Sequence, residues 1–183
     1  MNFEKRLSLI EPKKHNSNSF QKASVVVPYF SVNNRLLLVL LKRSNLVRYH
    51  KGEISFPGGM IEKTDKNLED TALREFEEEL GISRIKVSLI ARLDDVITKT
   101  KFLVTPFVGR IESNPIYSIN TDEVDEILEI PIDALMSKNI QNKNQNLTIE
   151  DFFWKGHRIF GATLKILLQF SEIYNQVKRE RVF

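Results

Sequence analysis

The stretch Arg74-Glu75-Phe76-Glu77-Glu78-Glu79-Leu80-Gly81 constrains this chain more than any other. On a helix, at about 100° per residue, Glu75, Glu78 and Glu79 share one face at spacings i, i+3 and i+4. Leu73, Phe76 and Leu80 form the core-facing side, and Glu77 falls between that stripe and solvent. Arg74 lies one turn before Glu78 and can orient it. Gly81 suits the residue that ends a helix, so the pattern predicts a helix over Leu68–Leu80. Such a helix packs by its apolar stripe while holding three like charges together. Each i,i+4 like-charge pair costs about 0.2–0.5 kcal/mol on an exposed helix. A divalent cation reverses that cost, since Mg2+ takes carboxylate, water and phosphate oxygens. A solvated acidic face accounts for the helix alone equally well.

The context favours the cation. Phe56-Pro57-Gly58-Gly59 precedes the helix. Its glycines permit a sharp turn and close approach of backbone to a ligand, so a carbonyl there can reach a metal held by the helix. A tight break in the chain is expected at Pro57-Gly58-Gly59.

Elsewhere the patterns predict a short helix at Asn2–Ile10 and a polar arm to residue 22. Strands are expected at Ala23–Phe30 and Arg35–Lys42, joined by a turn at Val32-Asn33-Asn34, with a short extended piece at Glu53–Phe56. Two long antiparallel strands are expected at Ile85–Thr98 and Lys101–Ile111. Asp125–Ile130 reads as a strand and Pro131–Met136 as a short helix. Ser137–Asn146 reads as a mobile loop, Leu147–Phe153 and Arg158–Phe160 as short strands, and Ala162–Val177 as the last long helix. Strands mixed with two long helices imply an α+β fold, a mixed sheet between helices. Residues 1–22 are expected to pack on or flank a single domain at 23–183. The stripe Leu164, Leu167, Leu168 and Phe170–Ile173 is core or a homodimer surface, with core the default.

The absence of cysteine excludes thiolate zinc sites, iron–sulfur clusters, disulfides and a cysteine nucleophile. With no apolar leader after Met1, a reducing, cytoplasmic setting is expected. The longest apolar run, Leu36–Leu41, is too short to span a membrane. His15, His50 and His157 make no helical pair, which argues against a histidine zinc site. Gly156–Gly161 has phosphate-loop spacing, but Ala162 stands where lysine is required. The net charge of +3 does not argue for nucleic acid. It averages over opposites: residues 35–51 hold five bases and no acid, 62–79 eight acids against three bases, and 122–133 six acids and no base.

Gly59, Asp65 and Arg74–Ile82 together resemble the Nudix box: glycine, five residues, glutamate, seven residues, Arg-Glu-apolar-any-Glu-Glu-any-Gly-apolar. The second half matches at every fixed position. The first half departs twice, with Asp65 for glutamate and eight residues before Arg74. The same departure is similar to the coenzyme A pyrophosphatase subfamily. So is Leu40-Leu41-Lys42-Arg43-Ser44, Arg48, Gly52 and Phe56-Pro57-Gly58-Gly59, with Lys42 where threonine is common. Phe160-Gly161-Ala162-Thr163 resembles that subfamily's Trp-Gly-Ala-Thr.

The resemblance implies a Nudix fold, an α/β/α sandwich, and hydrolysis of a phosphoanhydride with Mg2+ or Mn2+. It implies Glu75, Glu78, Glu79 and the Gly59 carbonyl as metal ligands, with Arg74 orienting the carboxylates. For coenzyme A the products are 3′,5′-ADP and 4′-phosphopantetheine, and Arg43, Arg48, His50 and Lys51 are candidates for its phosphates. Glu126 or Glu123, in a second acidic patch, is nominated as general base. The rival readings are hydrolysis of ADP-ribose or a nucleoside triphosphate, and a non-catalytic domain that binds nucleotide or RNA.

Overall fold

In the computed structural model the described residues are 3–16, 19–112, 114–137 and 151–180. In chain order they form α1 (Phe3–Leu7), β1 (Gln21–Val32), β2 (Arg35–Arg43), β3 (Ile54–Ser55), β4 (Gly58–Met60), α2 (Leu68–Leu80), β5 (Val87–Arg92), β6 (Val96–Ile97), β7 (Phe102–Ile111), β8 (Val124–Pro131), α3 (Ile132–Ser137), β9 (Asp151–Trp154), β10 (His157–Phe160) and α4 (Gly161–Glu180). The loop expected at Ser137–Asn146 lies, beyond Ser137, outside the described residues, as does the start of the strand expected from Leu147.

Among the described residues, eight strands make one mixed sheet, with β1 parallel to β7 and the other pairs antiparallel. The β1–β2 turn is Asn33-Asn34, both at positive φ (50° and 61°), as a two-residue hairpin turn requires. β1 and β2 then part. They pair only over Tyr29–Val32 and Arg35–Leu38. Beyond that, residues 54–60 enter the gap: β3 pairs with β2 at Leu41–Lys42, and β4 pairs with β1 at Ala23–Val25. The Val26 N–H donates to Pro57 O at 2.9 Å, so the wedge satisfies edges that would otherwise be bare. The break expected at Pro57-Gly58-Gly59 is therefore part of the sheet, because backbone pairing, which side-chain pattern does not encode, takes up the glycines.

β2 is buried on both faces, which explains its unbroken apolar run. Leu36, Leu38 and Leu40 pack with α4 residues Leu164, Leu167 and Phe170. Val39 and Leu41 pack with α2 residues Ala72, Phe76 and Leu80. The sheet thus lies between helices, and the α4 stripe is interior. Phe3 of α1 sits edge-on to Tyr29, Phe170 and Tyr174 at 5.3–5.8 Å between ring centroids.

The strand expected over Ile85–Thr98 is interrupted. A 3-10 turn occupies Arg84–Lys86, and Leu93–Asp95 separates β5 from β6. The Asp95 side chain is 1% exposed. It accepts from the His15 N–H, Arg92 Nη2 and Thr105 Oγ1, while the Lys13 N–H donates to Asp94 Oδ1. These carboxylates tie the N-terminal arm down at the cost of ladder pairing there. Among the described residues no helix is long and apolar enough to cross a membrane.

Phe170 is fully buried where α1, β1 and α4 meet, whereas Ile116 is 89% exposed. Phe170→Ala is expected to cost about 3–5 kcal/mol in urea unfolding. Ile116→Ala is expected to stay within about 0.5 kcal/mol of the unaltered protein.

Candidate active site

α2 begins at Asn67, whose side chain accepts the Asp70 N–H at 2.9 Å. It ends at Gly81 (φ 65°), whose N–H donates to Glu77 O. No larger residue fits at 81, because a Cβ there would run into the Ser118 backbone. With Phe76 and Leu80 locked into the core, Glu75 and Glu79 turn toward the wedge. Burial is graded along the face: the side chains of Glu78, Glu75 and Glu79 are 51%, 16% and 2% exposed. Glu77 lies elsewhere and takes Arg84 Nε at 2.8 Å.

Glu79 is held from two sides. Its Oε2 accepts the Gly58 N–H at 2.9 Å, and its Oε1 faces Arg43 Nη1 at 3.4 Å. Burial pushes the Glu79 carboxyl up to about 8; the Gly58 N–H and Arg43 pull it down, and Glu75 and Glu123 raise it further. Gly59 lies close under Glu75: a Cβ there would meet the carboxylate, 2.5 Å from its Cδ, and displace it. Burial raises Glu75 as well, against Arg74.

Arg74 is the hub of the outer half. Its Nη1 donates at 2.9 Å to both Glu75 Oε1 and Glu78 Oε2. On its other side Asp65 grips it in two places, Nε to Oδ1 at 2.9 Å and Nη2 to Oδ2 at 3.1 Å. The guanidinium holds Asp65 well below the ordinary carboxylate range. Asp65 therefore meets Arg74 despite its altered spacing. Thr71 and the Gly58 N–H were not singled out from sequence. The available signal for Thr71 was its spacing, three, four and seven residues before Arg74, Glu75 and Glu78, which puts it on their stripe.

The remaining candidates are dispersed. Arg43 stands at the site, and the loop 44–52 is rooted on it: its N–H donates to Glu53 O, and its carbonyl accepts the Gly52 N–H. The Arg43 Nε is buried and finds no hydrogen-bond partner among the described residues. On the loop, Arg48 lies over the Tyr49 ring at 5.0 Å. Lys51 is exposed. His50 Nδ1 meets Glu53 Oε2 at 3.0 Å. Glu123 acts electrostatically on Glu75 and Glu79, and its carbonyl accepts the Ser44 N–H. Glu126 is placed apart from them. Along β8 it has the same parity as Leu128 and Ile130, which face the α4 side, and it pairs with His157 Nε2 at 3.5 Å. Glu123 lies in the turn just before β8 and Glu126 on the strand itself, so the two nominated bases belong to different elements. Thr163 Oγ1 donates to Ile54 O at 3.1 Å, tying the start of α4 to the wedge.

Among the described residues no three His, Cys, Asp or Glu side chains already converge as a cation cage. Arg74, Arg43 and the Gly58 N–H take up the negative charge instead. The donor chemistry fits a hard cation: carboxylate and carbonyl oxygens, with Glu75 and Glu79 repelling each other at close quarters.

Two outcomes follow. The folded protein keeps a proton on Glu79 up to about pH 8, which an ordinary glutamate releases near 4.5. Without metal, stability should therefore fall as pH rises across that interval. In chelator at pH 8–9, Glu79→Gln should raise Tm by a few degrees, on the scale of roughly 2–4 °C per kcal/mol, and the gain should vanish near pH 5. Gly59→Ala should shift the Glu75 carboxylate and weaken binding of an added divalent cation, read by calorimetry with Mn2+, about tenfold, the scale of a lost supporting contact.

The family model for the NUDIX domain matches residues 20–150. The Nudix hydrolase NudL of Photorhabdus laumondii is 31% identical over 173 residues, 91% of this chain and 92% of that one. The mouse peroxisomal coenzyme A diphosphatase NUDT7 is 33% identical over 127 residues, 69% of this chain and 54% of the mouse protein. The NUDIX domain of Shewanella oneidensis NrtR, solved with ADP ribose, superposes with a TM-score of 0.56 at 16% identity, over 100% of both chains, a likeness of fold. Model, relatives and carboxylate helix agree that the chain belongs to the Nudix family of pyrophosphate-cleaving hydrolases.

Proposed function

We propose that the chain cleaves the phosphoanhydride of coenzyme A or its derivatives, giving 3′,5′-ADP and 4′-phosphopantetheine or its acyl form. The observation that carries this reading is Arg43. Its Nη1 touches a helix carboxylate, its Nε is a buried donor with no acceptor among the described residues, and its backbone roots a loop bearing Arg48, His50 and Lys51. The Arg43 side chain is 25% exposed, so guanidinium N–H groups beyond the one on Glu79 can reach a phosphate oxygen. Cation-holding acids beside phosphate-holding bases suit a metal-bound polyanion. Similarity to the mouse coenzyme A diphosphatase supports the substrate class. The cysteine-free sequence supports a reducing, cytoplasmic setting.

In this reading Glu75, Glu78, Glu79 and the Gly59 carbonyl hold Mg2+ or Mn2+. When bound, the cation neutralises phosphoryl charge and lowers the pKa of water. Arg74 fixes the directions of Glu75 and Glu78, and Gly58 and Arg43 fix Glu79. Arg43, Arg48, His50 and Lys51 bind the phosphates. Water adds to phosphorus, the bridging P–O bond breaks, and a carboxylate accepts the water's proton. Glu123 is the favoured acceptor, since it lies within electrostatic reach of Glu75 and Glu79, while Glu126 engages His157.

Chromatography of products from coenzyme A and ADP-ribose tests the substrate: equal or better turnover of ADP-ribose would overturn it, and turnover of neither would favour a binding domain. Glu79→Gln is expected to lower kcat about a hundredfold or more, the scale of lost transition-state stabilisation. Glu123→Gln should lower kcat by roughly 10²–10⁴, the range for a lost general base, and Glu126→Gln by much less. The reverse pattern would return the role to Glu126.

A further inference from the structure

Asp65 receives more donors than an ion pair needs. Beyond the two from Arg74, its Oδ2 accepts the Glu62 N–H at 2.8 Å and Thr71 Oγ1 at 2.9 Å. The Asp65 N–H returns a bond to Glu62 O at 3.2 Å, closing a small reciprocal turn. The Asp65 side chain is 2% exposed, and Thr71 is fully buried. The Thr71 hydroxyl has one proton and two acceptors in reach: Asp65 Oδ2, and Asn67 O at 3.2 Å. The carboxylate is nearer and charged, so it takes the proton.

The consequence is mechanical. A carboxylate and a guanidinium joined only by their fork can pivot together. Here Oδ2 is pinned by two donors outside that fork, so the plane of the fork is set. Arg74 Nη1 is then placed to bond Glu75 and Glu78 at once. Thr71 and Arg74 belong to the same stripe of α2, so the hydroxyl reports helix position directly to the carboxylate that aims the arginine. The turn at Glu62–Asp65, with eight residues before Arg74, lets the shorter aspartate reach from the loop.

We infer that Thr71 is a positioning residue for the cation-binding carboxylates, acting through Asp65 and Arg74. The inference rests on the reading of Glu75, Glu78 and Glu79 as cation ligands, and the experiment separates the two.

Mn2+ affinity is measured by calorimetry on the full chain, with Tm in chelator recorded alongside. Thr71→Val should weaken Mn2+ binding about tenfold, as lost partners of metal ligands do, and Thr71→Ser should restore it. Thr71→Val in the Asp65→Asn background should add nothing, the mark of residues acting in series. If Thr71→Val binds Mn2+ like the unaltered protein and only loses Tm, while Glu75→Gln loses binding, Thr71 is structural and the inference fails. Additive losses in the double variant also defeat it. If Glu75→Gln itself binds normally, the ligand reading falls and takes the inference with it. Should Thr71→Val not fold, Thr71→Ala carries the same comparison.

Discussion

The parting of β1 and β2 is the constraint on which the rest of the molecule depends. Two strands that separate inside a buried sheet leave unpaired backbone on both edges, and such groups cost too much to leave bare. Residues 54–60 fill the gap, pairing with β2 on one side and β1 on the other. That arrangement brings the Gly58 N–H under α2, where it binds Glu79, and puts Gly59 against the Glu75 carboxylate, which a Cβ would displace. The site is thus a by-product of how the sheet satisfies its own edges.

Around that wedge the charges are balanced in two tiers. The inner tier is Glu79, sealed from solvent and facing one N–H and one arginine. Desolvation dominates there, which is why its proton is held so tightly. The outer tier is Glu75 and Glu78 on Arg74, which Asp65 anchors in turn. The outer carboxylates are thus aimed by Arg74, which offsets their repulsion. Arg43 joins this centre to the basic loop, so the acids and the bases, remote in sequence, share one residue.

Much of this was legible in the residues. The 3.6-residue period and Gly81 gave α2 its bounds, and the carboxylate face and the separate course of Glu77 followed from angle alone. The β2 run announced burial on both sides. Other parts were not legible. The strand over Ile85–Thr98 reads as continuous, because alternation cannot reveal that Asp94 and Asp95 will be claimed by the backbone of Lys13 and His15. Pro57-Gly58-Gly59 reads as a break, because the pairing of Gly58–Met60 with β1 is a long-range fact. Glu123 and Glu126 look interchangeable in the acidic patch until the fold puts one in the turn before β8 and the other on the strand beside His157.

By itself the sequence determined the fold class, the helix and which of its glutamates share a face, since these depend on spacing along one chain. The tertiary structure decided which carboxylate is buried, which arginine meets it, and what Asp65 does with its displaced spacing. Those outcomes depend on desolvation and on donors brought from other segments. Both arise only when strands distant in sequence are packed against the helix.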